Sequence, residues 1–179
     1  MIRRWAQEVL NFWFSLDYES WWKPSKELDA ETHERFGIEW ARQARRPVAD
    51  FLGDPDTALA AVILFDQFPR NMFRGHADQF ATDHMALAIA KGAVERGYDD
   101  GMASERRAFL YMPFQHSEDL KDQRQSLLLF TALGDARMMP YARKHYEVIE
   151  KFGRFPHRNE VLGRKPTAME TAAGDVVPW

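Results

Sequence analysis

The sequence contains no cysteine, which excludes disulfides, thiol catalysis, thiolate zinc sites and iron–sulfur clusters. No apolar run approaches the roughly 18 residues that a membrane-spanning helix needs, so no membrane partner is expected. Neither sign of charge dominates: 24 Lys and Arg face 27 Asp and Glu, for a net charge of −3. That balance makes no case for a nucleic-acid partner. There is no Gly/Ser linker, no low-complexity tract and no position-by-position repeat at a period of about 34 residues. No segment alternates with period two between hairpin turns. The opening MIRRWAQEVL places Arg3 and Arg4 where a signal peptide would be charged. Gln7 and Glu8 interrupt its apolar stretch, however, and no small-residue cleavage site follows. A cytoplasmic location is the expectation.

The chain has 179 residues, of which 45% are hydrophobic and 28% charged. That is the size and composition of one soluble domain over 1–179. A chain of this length buries roughly 70% of its unfolded surface and needs no metal or disulfide to fold. The apolar residues fall at helical spacing. Trp5, Val9, Phe12 and Trp13 share one face of a first helix. Ser25 caps a second, with Leu28, Phe36 and Trp40 inward, ending near Arg46 before Pro47. Gly53-Asp54-Pro55 restarts the chain with a cap and a first-turn proline. Leu59 to Phe68 reads LAAVILFDQF, a buried helix or a short strand, limited by Pro69.

Further helices are expected from Thr82 to Arg96, closed by Gly97, and from Ser104, where Pro113 imposes a kink or a stop. Ser117 is the expected cap of a helix reaching Leu133, and Asp135 to Phe152 forms the last long one, ended by Gly153. Thr167-Ala168-Met169-Glu170 has the capping-box pattern of a short helix. The fold class is therefore all-α, with seven to nine helices.

Three stretches mix aromatic and charged residues beside proline: Asp66 to Arg74, Tyr111 to Glu118, and Phe152 to Asn159 continuing to Arg164. Written out, FDQFPRNMFRG, YMPFQHSEDLKDQ and FGRFPHRNEVLGR resemble the bacterial family called domain of unknown function 924. The resemblance runs from Phe12 to Arg164. It implies a tetratricopeptide-like helical superhelix and carries no established activity. After Leu162-Gly163-Arg164 that family usually continues with a Thr-Ser-Thr run, two acids and an aromatic tail. Here the chain reads KPTAME and then TAAGDVVPW.

Residues 154–165 hold Arg154, Arg158, Arg164, Lys165 and one acid, Glu160, a local excess of +3. Guanidinium groups recognise carboxylate and phosphate through two parallel hydrogen bonds. The functional reading is an anion pocket formed by Asp66, Arg70, Asn71, Arg74, Arg154, Arg158, Asn159 and Arg164, with His116, Glu118 and His157 orienting the ligand. The alternative is structural: the same arginines tie helix ends to Asp66, Glu118 and Glu160. His116-Ser117-Glu118 has the His-x-Glu of zinc deaminases but lacks their cysteines. A His/carboxylate metal site through His116, Glu118, His145 or His157 is the lesser reading, since their spacing is not diagnostic, and no metal or other cofactor is expected. His116, Glu118 and His157 are the candidates for acid/base chemistry. Ser117 does not face its neighbour His116 and suits a cap. His145, between Tyr141 and Ile149, reads as a hydrogen-bonded core residue.

Three functions follow. The first is a helical protein binding a small anion or an acidic peptide. The second is a hydrolase or lyase acting on an anionic metabolite. The third is a protein-interaction module of the tetratricopeptide kind.

Overall fold

A computed structural model describes residues 2–179. Among them the regular structure is entirely helical. The described chain divides into two compact units, the first running to Leu110 and the second from Tyr111 to Trp179.

The first unit holds α1 (Arg4–Ser15), α2 (Lys26–Gln43), α3 (Pro55–Val62), α4 (Phe68–Met72), α5 (Asp83–Glu95) and the start of α6 (Ser104–His116). Its centre is α3 and the π-helical segment Ile63–Gln67 that follows. Every residue from Ala58 to Phe65 is fully buried there, as an element apolar on all sides must be. The strand alternative for Leu59 to Phe68 is therefore excluded. The face of α1 expected to be apolar is inward, with Trp5, Val9, Phe12 and Trp13 buried. Phe68 receives Phe36 at a centroid distance of 4.7 Å, Trp13 at 5.7 Å and Phe12 at 5.8 Å. Ser25 accepts from Leu28 N–H, and Asp54 accepts from Thr57 N–H with Pro55 in the first turn, as their positions required.

Pro69 does not end this helix. It lacks an N–H and so leaves the carbonyl four residues earlier, on Phe65, without its helical partner. The Thr82 hydroxyl donates to that carbonyl at 2.8 Å. The Phe68 N–H reaches back five residues to Ile63 O, and the chain stays helical to Met72. Thr82 thereby gives up side-chain capping of α5. It also accepts from Trp40 Nε1 at 3.1 Å.

The second unit holds the end of α6, then α7 (Leu120–Leu133), α8 (Met139–Phe152) and α9 (Ala168–Ala173). Pro113 is passed without a stop, and α6 continues to His116. Asp119 caps α7, accepting from Lys121 and Asp122 N–H, while the Ser117 hydroxyl donates to Asp122 instead. A carboxylate offers two acceptors where a hydroxyl offers less charge, so the acid wins the cap. α8 starts at Met139 rather than Asp135, because Asp135 folds back on Arg137 and Pro140 suits the first turn. Gly134 and Gly153 end α7 and α8 at φ +73° and +70°, values a side chain disfavours. Val148, Ile149 and Phe155 form a small core, flanked by Leu120, Phe152 and Val176.

Replacing Thr82 with Val keeps the shape but orphans the Phe65 carbonyl and the Trp40 indole. The expected loss is about 1–3 kcal/mol of unfolding free energy, read by urea denaturation, with Thr82→Ser close to the parent.

Candidate functional site

The first of the three stretches is anchored inside the first unit. Asp66 lies in the π-helical segment with no exposed surface and accepts from Gln67 Nε2. Arg70 Nη1 stands 3.5 Å from the Asp66 carboxylate. The same guanidinium grips Asp83 through two bonds of 2.7 and 2.9 Å. Burial opposes the charge on Arg70, but Asp66 and Asp83 outweigh it and hold the guanidinium above the ordinary arginine range. One turn on, Arg74 makes bonds of 2.7 and 2.8 Å to Asp29, and Asn71 donates to the same carboxylate at 2.9 Å. Asp29 sits in the first turn of α2, and Asp83 opens α5. These two acids were not among the sequence candidates; their first-turn positions were the available signal.

The other two stretches meet inside the second unit. Glu118, just before α7, accepts from Phe155 N–H at 2.7 Å and from both terminal nitrogens of Arg164 at 2.8 and 3.0 Å. Arg164 also donates to Asn159 Oδ1 and to Phe155 O. Half-burial favours the neutral acid, yet the bonds from Arg164 and Phe155 and the nearby charge of Arg158 hold Glu118 below the usual carboxylate range.

A second pairing closes the loop after α8. Arg154 grips Glu170 through bonds of 2.6 and 2.7 Å and donates to Lys165 O. Asn159 Nδ2 and Thr167 N–H also reach Glu170. Thr167 and Glu170 complete the expected capping box of α9. The bond from Arg154 is the main cause that brings Glu170 down to about 2, assisted by Thr167 and Asn159 against burial. The capping box marked Glu170 as a cap and gave no hint of Arg154.

Phe155 is the hub of this region. The Arg158 guanidinium lies 4.5 Å from its ring centroid and donates to His116 O at 3.0 Å. His145 meets the same ring at 5.5 Å and His157 at 5.6 Å, while His116 and His145 are 6.2 Å apart. His145 is buried and hydrogen-bonded to Tyr141 O, the core role its position predicted. Burial first, then the neighbouring His116, lowers its pKa to about 3, so it is neutral at pH 7.

Of the sequence candidates, Glu118, His157, Arg158 and Arg164 therefore meet Phe155, His116 follows through Arg158, Arg154 and Asn159 gather on Glu170, and Asp66, Arg70, Asn71 and Arg74 cluster about α4. The arginine–carboxylate pairs match the structural alternative in kind, with Glu170, Asp29 and Asp83 joining Glu118 and Asp66 as the acids. Among the described residues no group of three or more His, Asp or Glu is placed to hold a metal, and no helix is long and apolar enough to cross a membrane. A surface hollow of about 530 Å³ lies on the outer side of α8, lined by Ala136, Met139, Pro140, Arg143, Lys144 and Glu147. None of these six was a candidate, since a helix start with two adjacent cations is common on any solvated face.

Residues 9–173 match the family model described as "Bacterial protein of unknown function (DUF924)". A solved structure of a protein of unknown function from Agrobacterium tumefaciens is similar over 94% of this chain and 95% of its own, with 36% identity and a TM-score of 0.88. No curated protein matches the chain.

The depressed Glu170 fixes a pH dependence. Its contribution to stability is complete above the ordinary value of 4.5 and is lost as the pH falls toward about 2. Urea midpoints should fall across that window in the parent. Glu170→Gln should start lower at pH 7 and decline less steeply.

Proposed function

The chain belongs to this bacterial family of unknown function, and from that premise we propose that it is a binding scaffold for an acidic peptide segment. The hollow on α8 carries the proposal. Ala136, Met139 and Pro140 contribute apolar surface to it, and Arg143 and Lys144 outnumber Glu147 among its lining side chains. An apolar side chain set beside carboxylates satisfies both parts: the apolar residues remove its surface from water, and the cations attract and orient the acids. The arginine latches at Glu118 and Glu170 in the same unit support this reading. They keep the helices rigid, so little order is lost when a peptide arrives. Helical scaffolds of the tetratricopeptide kind work in this way, through surfaces held by stacked helices. The cytoplasm is the proposed setting.

A second reading draws on the region around Phe155. The Arg158 guanidinium lies there over the Phe155 ring and bonds the His116 carbonyl, with the His157 ring beside Phe155, and a small carboxylate or phosphate is the anion it would take. The hydrolase or lyase alternative would use His116 or His157 at that place as the acid/base.

Fluorescence anisotropy with a labelled peptide of alternating Glu and Leu separates these readings. The parent should bind it, and the charge reversal Arg143→Glu/Lys144→Glu should weaken binding at least about tenfold, roughly 1.4 kcal/mol, with an unchanged melting temperature. Raised salt should weaken the parent as well. Equal affinity in parent and reversal variant overturns the α8 site. Phosphate or citrate that raises the parent's melting temperature but not that of Arg158→Ala favours the second reading. Ester hydrolysis lost in a folded His116→Ala favours the enzyme.

A further inference from the structure

Beyond α9 the chain turns at Gly174, whose φ of +71° and ψ of −145° suit glycine. The remaining residues run without helix across the second unit. Val176 packs on the Val148, Ile149 and Phe155 core. Pro178 is buried. The Trp179 indole meets His157 edge-on at 4.9 Å, and its carbonyl accepts from Lys144 Nζ at 3.2 Å. Between them Val177 faces outward at 37% exposure, and Trp179 itself is 61% exposed. Inward Val176 and Pro178 thus alternate with outward Val177 and Trp179, the period of two of an extended chain.

The hold on this segment is slight. The described contacts include one partly buried valine, one buried proline, one ring edge and one ammonium–carbonyl bond. The described backbone–backbone bonds end at Gly174 N–H to Thr171 O. A glycine hinge stands at its root. Pro178 restricts the backbone to extended forms, so the segment loses little freedom when it docks.

We infer that the surface crossing α8 and the Phe155 to Arg158 turn is a binding site for an extended aliphatic–x–Pro–Trp segment of a partner protein, which the chain's own Val176–Trp179 segment occupies and blocks. The surface supplies the features that such a segment uses: the apolar side chains of Val148 and Ile149, the His157 ring for the indole, and Lys144 for a carbonyl. Docking of extended, proline-bearing segments beside ring side chains is a general mode of peptide recognition. Tethering keeps the chain's own tail at a high effective concentration, about millimolar for a short flexible link. A free segment of the same sequence therefore competes poorly until that tail is weakened. The inference goes beyond the acidic-peptide reading and shares only Lys144 with it.

The probe is a peptide of the sequence GDVVPW, labelled at its N-terminus and followed by anisotropy with the full chain. Trp179→Ala alters an exposed side chain and should leave melting unchanged, and Pro178→Ala/Trp179→Ala weakens the strap further. Both variants should bind the probe at least tenfold more tightly than the parent, and a scrambled peptide should not bind. Adding His157→Ala to Trp179→Ala should cost at least tenfold of the gained affinity. Equal binding by parent and Trp179→Ala, no binding by either variant, or binding indifferent to His157 overturns the inference. Arg143→Glu weakens the acidic peptide and spares this probe, so the two proposals fail separately.

Discussion

A guanidinium removed from bulk water needs acceptors, and that requirement organises both units. Arg70, Arg74, Arg154 and Arg164 each meet a carboxylate through two nitrogens. The geometry of such a pair is planar and directional, so each one fixes an angle as well as a distance. Asp29 and Asp83 hold α4 from α2 and α5. Glu118 and Glu170 hold the loop after α8 from the starts of α7 and α9. Removing one partner costs most where the other is buried, as with Glu170 at Arg154, and the loops depend on both.

The π-helical segment shows the same logic in the backbone. A proline inside a helix removes one N–H and frees one carbonyl, and the cost of a buried orphan is larger than that of a hydrogen bond merely exchanged. Thr82 supplies the missing donor from the start of α5. The helix then continues past Pro69, which keeps Arg70 and Asn71 on one short helix, with Arg74 in the turn that follows, facing two acids. Local chemistry alone would have stopped the chain at the proline; a side chain from another element decided otherwise. A comparable competition moved the cap of α7 from Ser117 to Asp119.

The two surfaces proposed for partners differ in what made them visible. The hollow on α8 is built from an ordinary helix start, and only the arrangement of Met139, Pro140, Arg143 and Lys144 in space sets apolar surface beside two cations. The other surface is visible because the chain itself covers it. Val176, Pro178 and Trp179 lie in a stretch without secondary structure, and no helical or strand period could have flagged them.

Helical period, caps and glycine stops are local properties, and they were legible along the chain: the apolar face of α1, the caps at Ser25 and Asp54, the ends at Gly134 and Gly153, the capping box of α9. Each depends on residues within about four positions of one another, so a linear reading suffices. The pairing of each arginine was not legible. Arg74 lies 45 positions from Asp29, and Arg164 lies 46 from Glu118. Any of 27 acids could satisfy a guanidinium equally well until packing brings one within reach. Which carboxylate each arginine holds, and which surfaces stay open, were decided by the tertiary structure, because charge pairing has reach without sequence register.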